Sequence, residues 1–103
     1  MVFEKWCVVA TDHPSLVGHF PGHPITPGVV ILDEVIQALT EEWPGGQSME
    51  IPLVKFLAPL RPGQPFTVRL RQSSSERVQF ECIRDDGQLL AHGYLLLVDS
   101  VAG

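Results

Sequence analysis

Hydrophobic and polar residues alternate along the second half of the chain, as expected of strands that bury one face. Residues 65–72 and residues 77–83 carry apolar side chains at every second position, with mostly polar side chains between them. The apolar positions are Phe66, Val68, Leu70, Val78, Phe80 and Cys82. The pattern predicts two antiparallel strands whose inner faces share one core.

Three other segments are predicted to be strands because they are rich in β-branched, aromatic and aliphatic residues. They are residues 2–10, residues 50–57 and residues 88–98. The last of these is apolar almost without interruption, which predicts that both of its faces are covered. Asp86-Gly87 predicts the hairpin that precedes it.

One long helix is predicted between the first strand and the others. Thr26 suits the N-cap, and Pro27 suits the first helical position, where no amide donor is needed. The run from Val29 to Trp43 has apolar residues around most of its circumference and should stop before Pro44. A helix of this kind belongs in a core.

These elements predict a single α+β domain over residues 1–103, with an antiparallel sheet wrapped around one central helix. One strand precedes the helix, and an antiparallel meander is expected after it. A single curled sheet leaves an open face and an edge, which dimerisation could close.

Composition and charge limit the classes of partner and the location that the protein can have. The 103 residues are 45% hydrophobic, a high share for so small a domain, which hints at a buried subunit interface. The net charge of -5 argues against nucleic acid as a partner. No signal peptide and no membrane-spanning run is found, and the two cysteines form no CxxC pair, so a cytoplasmic location is expected.

The segment dense in turn residues, 12–28, carries the most specific pattern. It contains HFPGHPITPG from His19 to Gly28, followed by VVILDEVIQ. This resembles the signature of the 3-hydroxyacyl-[acyl-carrier-protein] dehydratases of the FabA/FabZ type. The spacing from His19 to Asp33 and from Asp33 to Gln37 agrees with that family. A second block, LVKF and then Pro59 to Gly63, is similar to the family's Lys-Phe and Pro-Gly stretch.

The resemblance implies a hot-dog fold and a dehydratase that converts a (3R)-hydroxyacyl thioester on acyl carrier protein to the trans-2-enoyl thioester. It implies a homodimer, with higher oligomers possible, whose two sites each take His19 from one chain and Asp33 from the other. It also implies that Gly28 holds the thioester carbonyl through its backbone amide and that no cofactor is needed. The other positions that it places at the substrate are Phe20, Pro21, Val29 and Gln37.

The residue chemistry suits such an elimination. A neutral imidazole at His19 can remove the α-proton. Asp33 can protonate the departing hydroxyl if burial raises its pKa, and Gln37, one turn later on the same helix face, can orient it. Gly28 leaves room for close approach at the helix start, where an amide is unpaired and the dipole favours negative charge.

Two features modify the resemblance. An aspartate at position 33 is the FabA choice, but the loop is closer to FabZ, so no isomerase activity is expected. The few residues before the motif lead us to expect that the leader helix and strand of typical FabZ enzymes are missing. In this the chain is similar to short FabZ-like dehydratases of aryl polyene and related polyketide clusters, and a different acyl tunnel is expected.

Other interpretations stay open. The same fold could serve a thioesterase for acyl-CoA or acyl carrier protein, or a partner that binds the acyl carrier without catalysis. The histidines at 13, 19 and 23 match no common zinc spacing, so no metal site is predicted. Arg69 and Arg71 project from one strand face, where they are either solvated or in contact with an acidic carrier protein.

Overall fold

The structure, a computed structural model, describes residues 2–10, 26–42 and 48–98. These residues form one helix and five strands. The elements are β1 (Val2–Val8), α1 (Gly28–Glu42), β2 (Ser48–Phe56), β3 (Pro65–Gln72), β4 (Arg77–Arg84) and β5 (Leu89–Val98). The α+β prediction is confirmed, and most boundaries agree with the sequence pattern to within two residues.

All five strands belong to one antiparallel sheet in the order β1-β3-β4-β5-β2. The expected meander is therefore only partly correct, because β2 pairs with β5 instead of β3. The chain from 57 to 64 crosses one end of the sheet. At the start of this segment Leu57 N–H donates to Leu90 O, and near its end Gly63 N–H donates to Val9 O. This crossing makes β1 and β2 the two edges of the sheet.

The core lies between α1 and the inner face of the sheet. The alternating positions of β3 and β4 are all buried, as predicted: Phe66, Val68, Leu70, Val78, Phe80 and Cys82. The helix contributes five buried residues: Val30, Ile31, Val35, Ala38 and Leu39. These five residues define the core-facing side of α1.

The prediction that α1 is covered all round is wrong for the single chain. Val29 is 68% exposed, and Asp33 and Gln37 are also exposed. The reason is that one sheet covers only one side of a helix. For the same reason, the outward side chains of β5 that the structure describes are only half-buried.

The helix start differs from the prediction by one residue. Gly28 is the first helical residue, and Pro27 O accepts the first hydrogen bond, from Val30 N–H at 3.0 Å. Thr26 is instead fixed through its backbone, which donates to Leu60 O at 2.7 Å. Its hydroxyl is buried and has no hydrogen-bond partner among the described residues, so it does not act there as the predicted cap.

The hairpin between β4 and β5 is confirmed at the predicted residues. Gly87 has a φ of 88°, a left-handed conformation that a residue without Cβ adopts readily. Arg84 binds Asp86 at 2.8 Å through Nη2, and this contact holds the pKa of the Asp86 carboxyl at about 2. The same guanidinium donates to Pro59 O at 3.0 Å, so the hairpin is tied to the crossing segment.

Cys7 and Cys82 are free thiols in the core, and the inward position predicted for Cys82 is confirmed. Burial raises the pKa of Cys7 to about 11, with a further contribution from Glu34, and that of Cys82 to about 12. We expect neither thiol to react with a disulfide reagent at neutral pH in the native protein, and both to react in urea. Rapid labelling of either thiol in the folded chain would contradict this packing.

The same raised pKa values predict how stability depends on alkaline pH. Unfolded thiols lose their protons near the ordinary value of 9.0, before the buried ones do. The buried thiols should therefore contribute fully to stability below pH 9, and the free energy of unfolding should fall progressively as the pH rises from 9 towards 11. The Cys7→Ala/Cys82→Ala variant should show a smaller loss over this range in urea titrations.

Candidate active site

The start of α1 forms the centre of the candidate site. The amides of a first helical turn have no carbonyl partner within the helix, and the dipole places partial positive charge there. Gly28 occupies the first helical position, where the sequence had suggested the second. Its amide therefore belongs to a helix end that can bind a carbonyl oxygen as negative charge develops on it.

Phe56 packs directly on Gly28. A Cβ built at Gly28 would lie 2.7 Å from Cζ and 2.9 Å from Cε1 of the Phe56 ring. The ring thus closes one side of the helix start, and only glycine at position 28 leaves it there undisturbed. Sequence reasoning assigned no role to Phe56, although it belongs to the LVKF block; its contact with Gly28 follows from β2 reaching the helix start.

Asp33 and Gln37 lie on the solvent-facing side of α1, one turn apart, as their spacing predicted. Val29 lies one turn before Asp33 on the same side. The prediction that Asp33 is buried among apolar side chains is wrong for the single chain, because the apolar residues of α1 face the sheet. The carboxylate is instead presented on an uncovered helix face.

Large exposed apolar side chains lie near the helix start, at one end of this uncovered face. Val29, Phe56 and Leu57 are 68%, 48% and 52% exposed, and they lie at the start of α1 and at the end of β2. Exposed apolar residues that lie together mark surfaces that bind a partner or a ligand. The candidate site is thus a carboxylate and a helix N-terminus beside an apolar surface.

The other predicted site residues lie outside the described residues. They are His19, Phe20 and Pro21. Their roles, and the distance from His19 to Asp33, stay predictions.

An open cavity of about 400 Å³ lies on the other side of the sheet. Its lining includes Gln79, Glu81, His92 and Tyr94, which alternate with the inward side chains of β4 and β5. Because these side chains face away from α1, the cavity is separate from the candidate site. Within the described ranges, no cluster of histidine, cysteine, aspartate and glutamate is arranged to hold a metal ion, and no helix is long and apolar enough to cross a membrane.

Comparison with known proteins identifies the family. Residues 3–94 match the ApeI-like family model, described as ApeI dehydratase. The 3-hydroxyacyl-[acyl-carrier-protein] dehydratase FabZ of Ehrlichia chaffeensis is 35% identical over 97 residues, covering 85% of this chain and 68% of the relative. Alignments with eight curated FabZ relatives span between 44% and 69% of their lengths.

Solved structures agree with this assignment. The dehydratase heterocomplex ApeI:P from Xenorhabdus doucetiae contains a chain that matches with a TM-score of 0.81 and 25% identity, covering 94% of this chain and 87% of that one. A fluoroacetyl-CoA thioesterase matches with a TM-score of 0.65 and 18% identity, covering 96% of this chain and 86% of that one, which shows a shared fold alone. The chain therefore belongs to the ApeI-like dehydratase family and is a FabZ-like dehydratase with the hot-dog fold.

Proposed function

We propose that this dehydratase removes water from a (3R)-hydroxyacyl thioester carried on acyl carrier protein and releases the trans-2-enoyl thioester. His19 is the base, Asp33 is the acid, and the Gly28 amide binds the thioester carbonyl. Phe20, Pro21, Val29 and Gln37 contact or position the substrate. The reaction serves the synthesis of fatty acids or of related polyene or polyketide chains.

The observation that carries this proposal is the placement of Asp33 relative to Gly28. Both lie on one helix, five residues and hence about 7.5 Å apart along its axis. A thioester whose carbonyl oxygen binds at the helix start can therefore direct its 3-hydroxyl group towards Asp33. The exposed apolar residues beside them suit an acyl chain.

The proposed chemistry balances without a cofactor. His19 removes a proton from the α-carbon while negative charge develops on the thioester oxygen, and the Gly28 amide stabilises that charge. Asp33 gives its proton to the 3-hydroxyl group as the carbon–oxygen bond breaks, and water leaves. The proton held by His19 then passes to Asp33 through solvent, which restores both groups.

A homodimer would complete the site. Among the described residues, the face of α1 that carries Asp33 is uncovered, β2 is an edge strand, and Val29, Phe56 and Leu57 are exposed near the helix start. A second copy would cover this surface and bring its own His19 to Asp33. Exclusion of water from a carboxyl group also favours the protonated form, which an acid catalyst needs.

Acyl carrier protein is the proposed partner, and the cytoplasm is the proposed location. Cys7 and Cys82 are both free thiols, as expected in a reducing compartment.

Turnover of a 3-hydroxyacyl thioester tests the proposal. We expect the purified protein to convert a 3-hydroxyacyl carrier protein, and its N-acetylcysteamine mimic, to a product that has lost one water and kept its thioester. Mass spectrometry distinguishes this product from a hydrolysed one. Release of free thiol and acid would instead identify a thioesterase, and tight carrier binding without turnover on any chain length would identify a non-catalytic partner.

A further inference from the structure

The backbone that carries the Phe56 ring is held by the neighbouring strand. Phe56 is the last residue of β2 and lies opposite Ala91 of β5. Directly after it, the amides of Leu57 and Ala58 both donate to Leu90 O, at 2.7 and 3.3 Å. The sheet therefore fixes the point from which the Phe56 ring extends.

The ring meets the helix start with its tip. A Cβ built at Gly28 would lie 2.7, 2.9 and 3.1 Å from Cζ, Cε1 and Cε2, the three ring atoms farthest from the Phe56 backbone. Because that Cβ would be one bond away from the Gly28 Cα, the ring tip lies against the Gly28 backbone itself. Phe56 is nevertheless 48% exposed, so part of its ring is open to a ligand that reaches the helix start.

The α-carbon is the variable part of a thioester that would come close to this ring. A carbonyl oxygen bound by the Gly28 amide would lie about 2.9 Å from the nitrogen, which brings the attached α-carbon to the first turn of α1. The sulfur on the other side of the carbonyl carries the same pantetheine chain in every substrate. An α-carbon with a 2-methyl branch is wider than a CH2 group, but it keeps one hydrogen, so dehydration stays chemically possible and size alone distinguishes the two.

We propose that Phe56 is a specificity-determining residue that restricts the site to 3-hydroxyacyl thioesters without a branch at the α-carbon. This inference rests on the proposed function, because it takes the Gly28 amide as the place where the thioester carbonyl binds. The fixed backbone keeps the ring from withdrawing as a whole, and turning the ring outwards exposes more of its apolar surface to water. A branched substrate therefore meets either a steric contact or the cost of that exposure.

Two substrates that differ by one methyl group test this role. We expect the wild type to prefer the N-acetylcysteamine thioester of 3-hydroxybutyrate over both α-configurations of the 2-methyl-3-hydroxybutyrate thioester by at least about tenfold in kcat/KM, the usual effect of one carbon in a pocket. Phe56→Leu should bring this ratio close to one by raising activity on the branched thioester. Trp6→Leu is the matched control, because it also shortens an exposed aromatic residue but lies on β1, at the opposite edge of the sheet; it should keep the wild-type ratio.

The opposite results would overturn the role of Phe56. A wild type that dehydrates both thioesters equally well refutes it and leaves the proposed function intact. An unchanged ratio in Phe56→Leu also refutes it, even where both activities fall, and so does equal relaxation by Trp6→Leu. Phe56→Met, which keeps a long apolar side chain without the rigid ring, provides the same test should the leucine variant fail to fold.

Binding measurements separate this inference from the proposed function. Butyryl-pantetheine and 2-methylbutyryl-pantetheine lack the 3-hydroxyl group and cannot be dehydrated, so calorimetry gives their Kd values without turnover. A wild type that dehydrates neither 3-hydroxyacyl thioester refutes the proposed function. It still supports the role of Phe56 if it binds the unbranched thioester about tenfold more tightly and Phe56→Leu binds both alike, whereas equal binding by the wild type overturns that role as well.

Discussion

The His19→Ala and Asp33→Asn variants should each lose about 10²- to 10⁴-fold in kcat/KM on a 3-hydroxyacyl thioester, which is the usual contribution of a positioned acid or base. The first change removes the only proposed group that can accept the α-proton. The second keeps the size of the side chain but removes the proton that the departing hydroxyl needs. Because Asp33 is exposed in the single chain, Asp33→Asn should leave the fold intact.

The two variants also test whether the site is shared between chains. A hybrid dimer of one His19→Ala chain and one Asp33→Asn chain, purified through two different tags, would contain one site with both groups intact. It should recover about half of the wild-type activity, although each parent dimer is almost inactive. The measurement is the initial rate of enoyl product formed per hybrid dimer.

A second hybrid provides the matched control. It joins one wild-type chain to one His19→Ala/Asp33→Asn chain. If each site takes its two groups from different chains, neither site of this dimer is complete, and its activity should be close to that of the parents. If both groups come from the same chain, this hybrid recovers half of the activity and the first one recovers none. That reversed result would refute the shared site while leaving the dehydratase chemistry in place.

Much of the fold could be predicted from local pattern. The alternation at Phe66, Val68 and Leu70 fixed which face of β3 is buried, because a one-residue slip would expose all three. Asp86-Gly87 identified its hairpin because few residues other than glycine tolerate the φ of 88° found at Gly87. Each of these signals is carried by residues within a few positions of one another, so the local sequence is enough to predict the structure they form.

The features that were predicted wrongly or missed depend on contacts between residues that are distant in sequence. The position of β2 at the sheet edge follows from the crossing segment and its bond to Leu90, which no local pattern encodes. The exposure of Asp33 depends on what covers the second side of α1, and the sequence of one helix does not say whether that is a strand or another chain. The packing of Phe56 on Gly28 joins residues 28 positions apart and was missed for the same reason.

The Gly28→Ala variant is expected to lose about 10- to 100-fold in kcat/KM, the scale of loss that follows when a reacting group is displaced by about 1 Å. An added methyl group would fall 2.7 Å from the Phe56 ring. Under the proposed function, it would also hinder the approach of the thioester oxygen to the helix-start amide. The backbone amide of residue 28 is retained, so the loss in kcat/KM measures how well the thioester reaches this amide and not the removal of a hydrogen-bond donor.

Stability should change much less than activity in this variant. Gly28 does not have a positive φ, so alanine can adopt its backbone conformation and stabilises the fold by about 0.4–1 kcal/mol by restricting the unfolded chain, which partly offsets the cost of moving the ring. Phe56 is 48% exposed and its ring tip is the contacting part, so it can swing towards solvent. Urea denaturation should therefore show a free energy of unfolding within about 1 kcal/mol of the wild type.

Phe56→Leu separates the two roles that Gly28 could have. If glycine is needed only to accommodate the Phe56 ring, the Gly28→Ala/Phe56→Leu variant should regain the activity of Phe56→Leu alone, because the shorter side chain relieves the contact. If glycine is needed for the approach of the thioester, the double variant should stay 10- to 100-fold below that control. We expect the second result, since the methyl group at position 28 would still lie in front of the helix start; restored activity would remove the Gly28 amide from the proposed mechanism and leave Gly28 with a packing role.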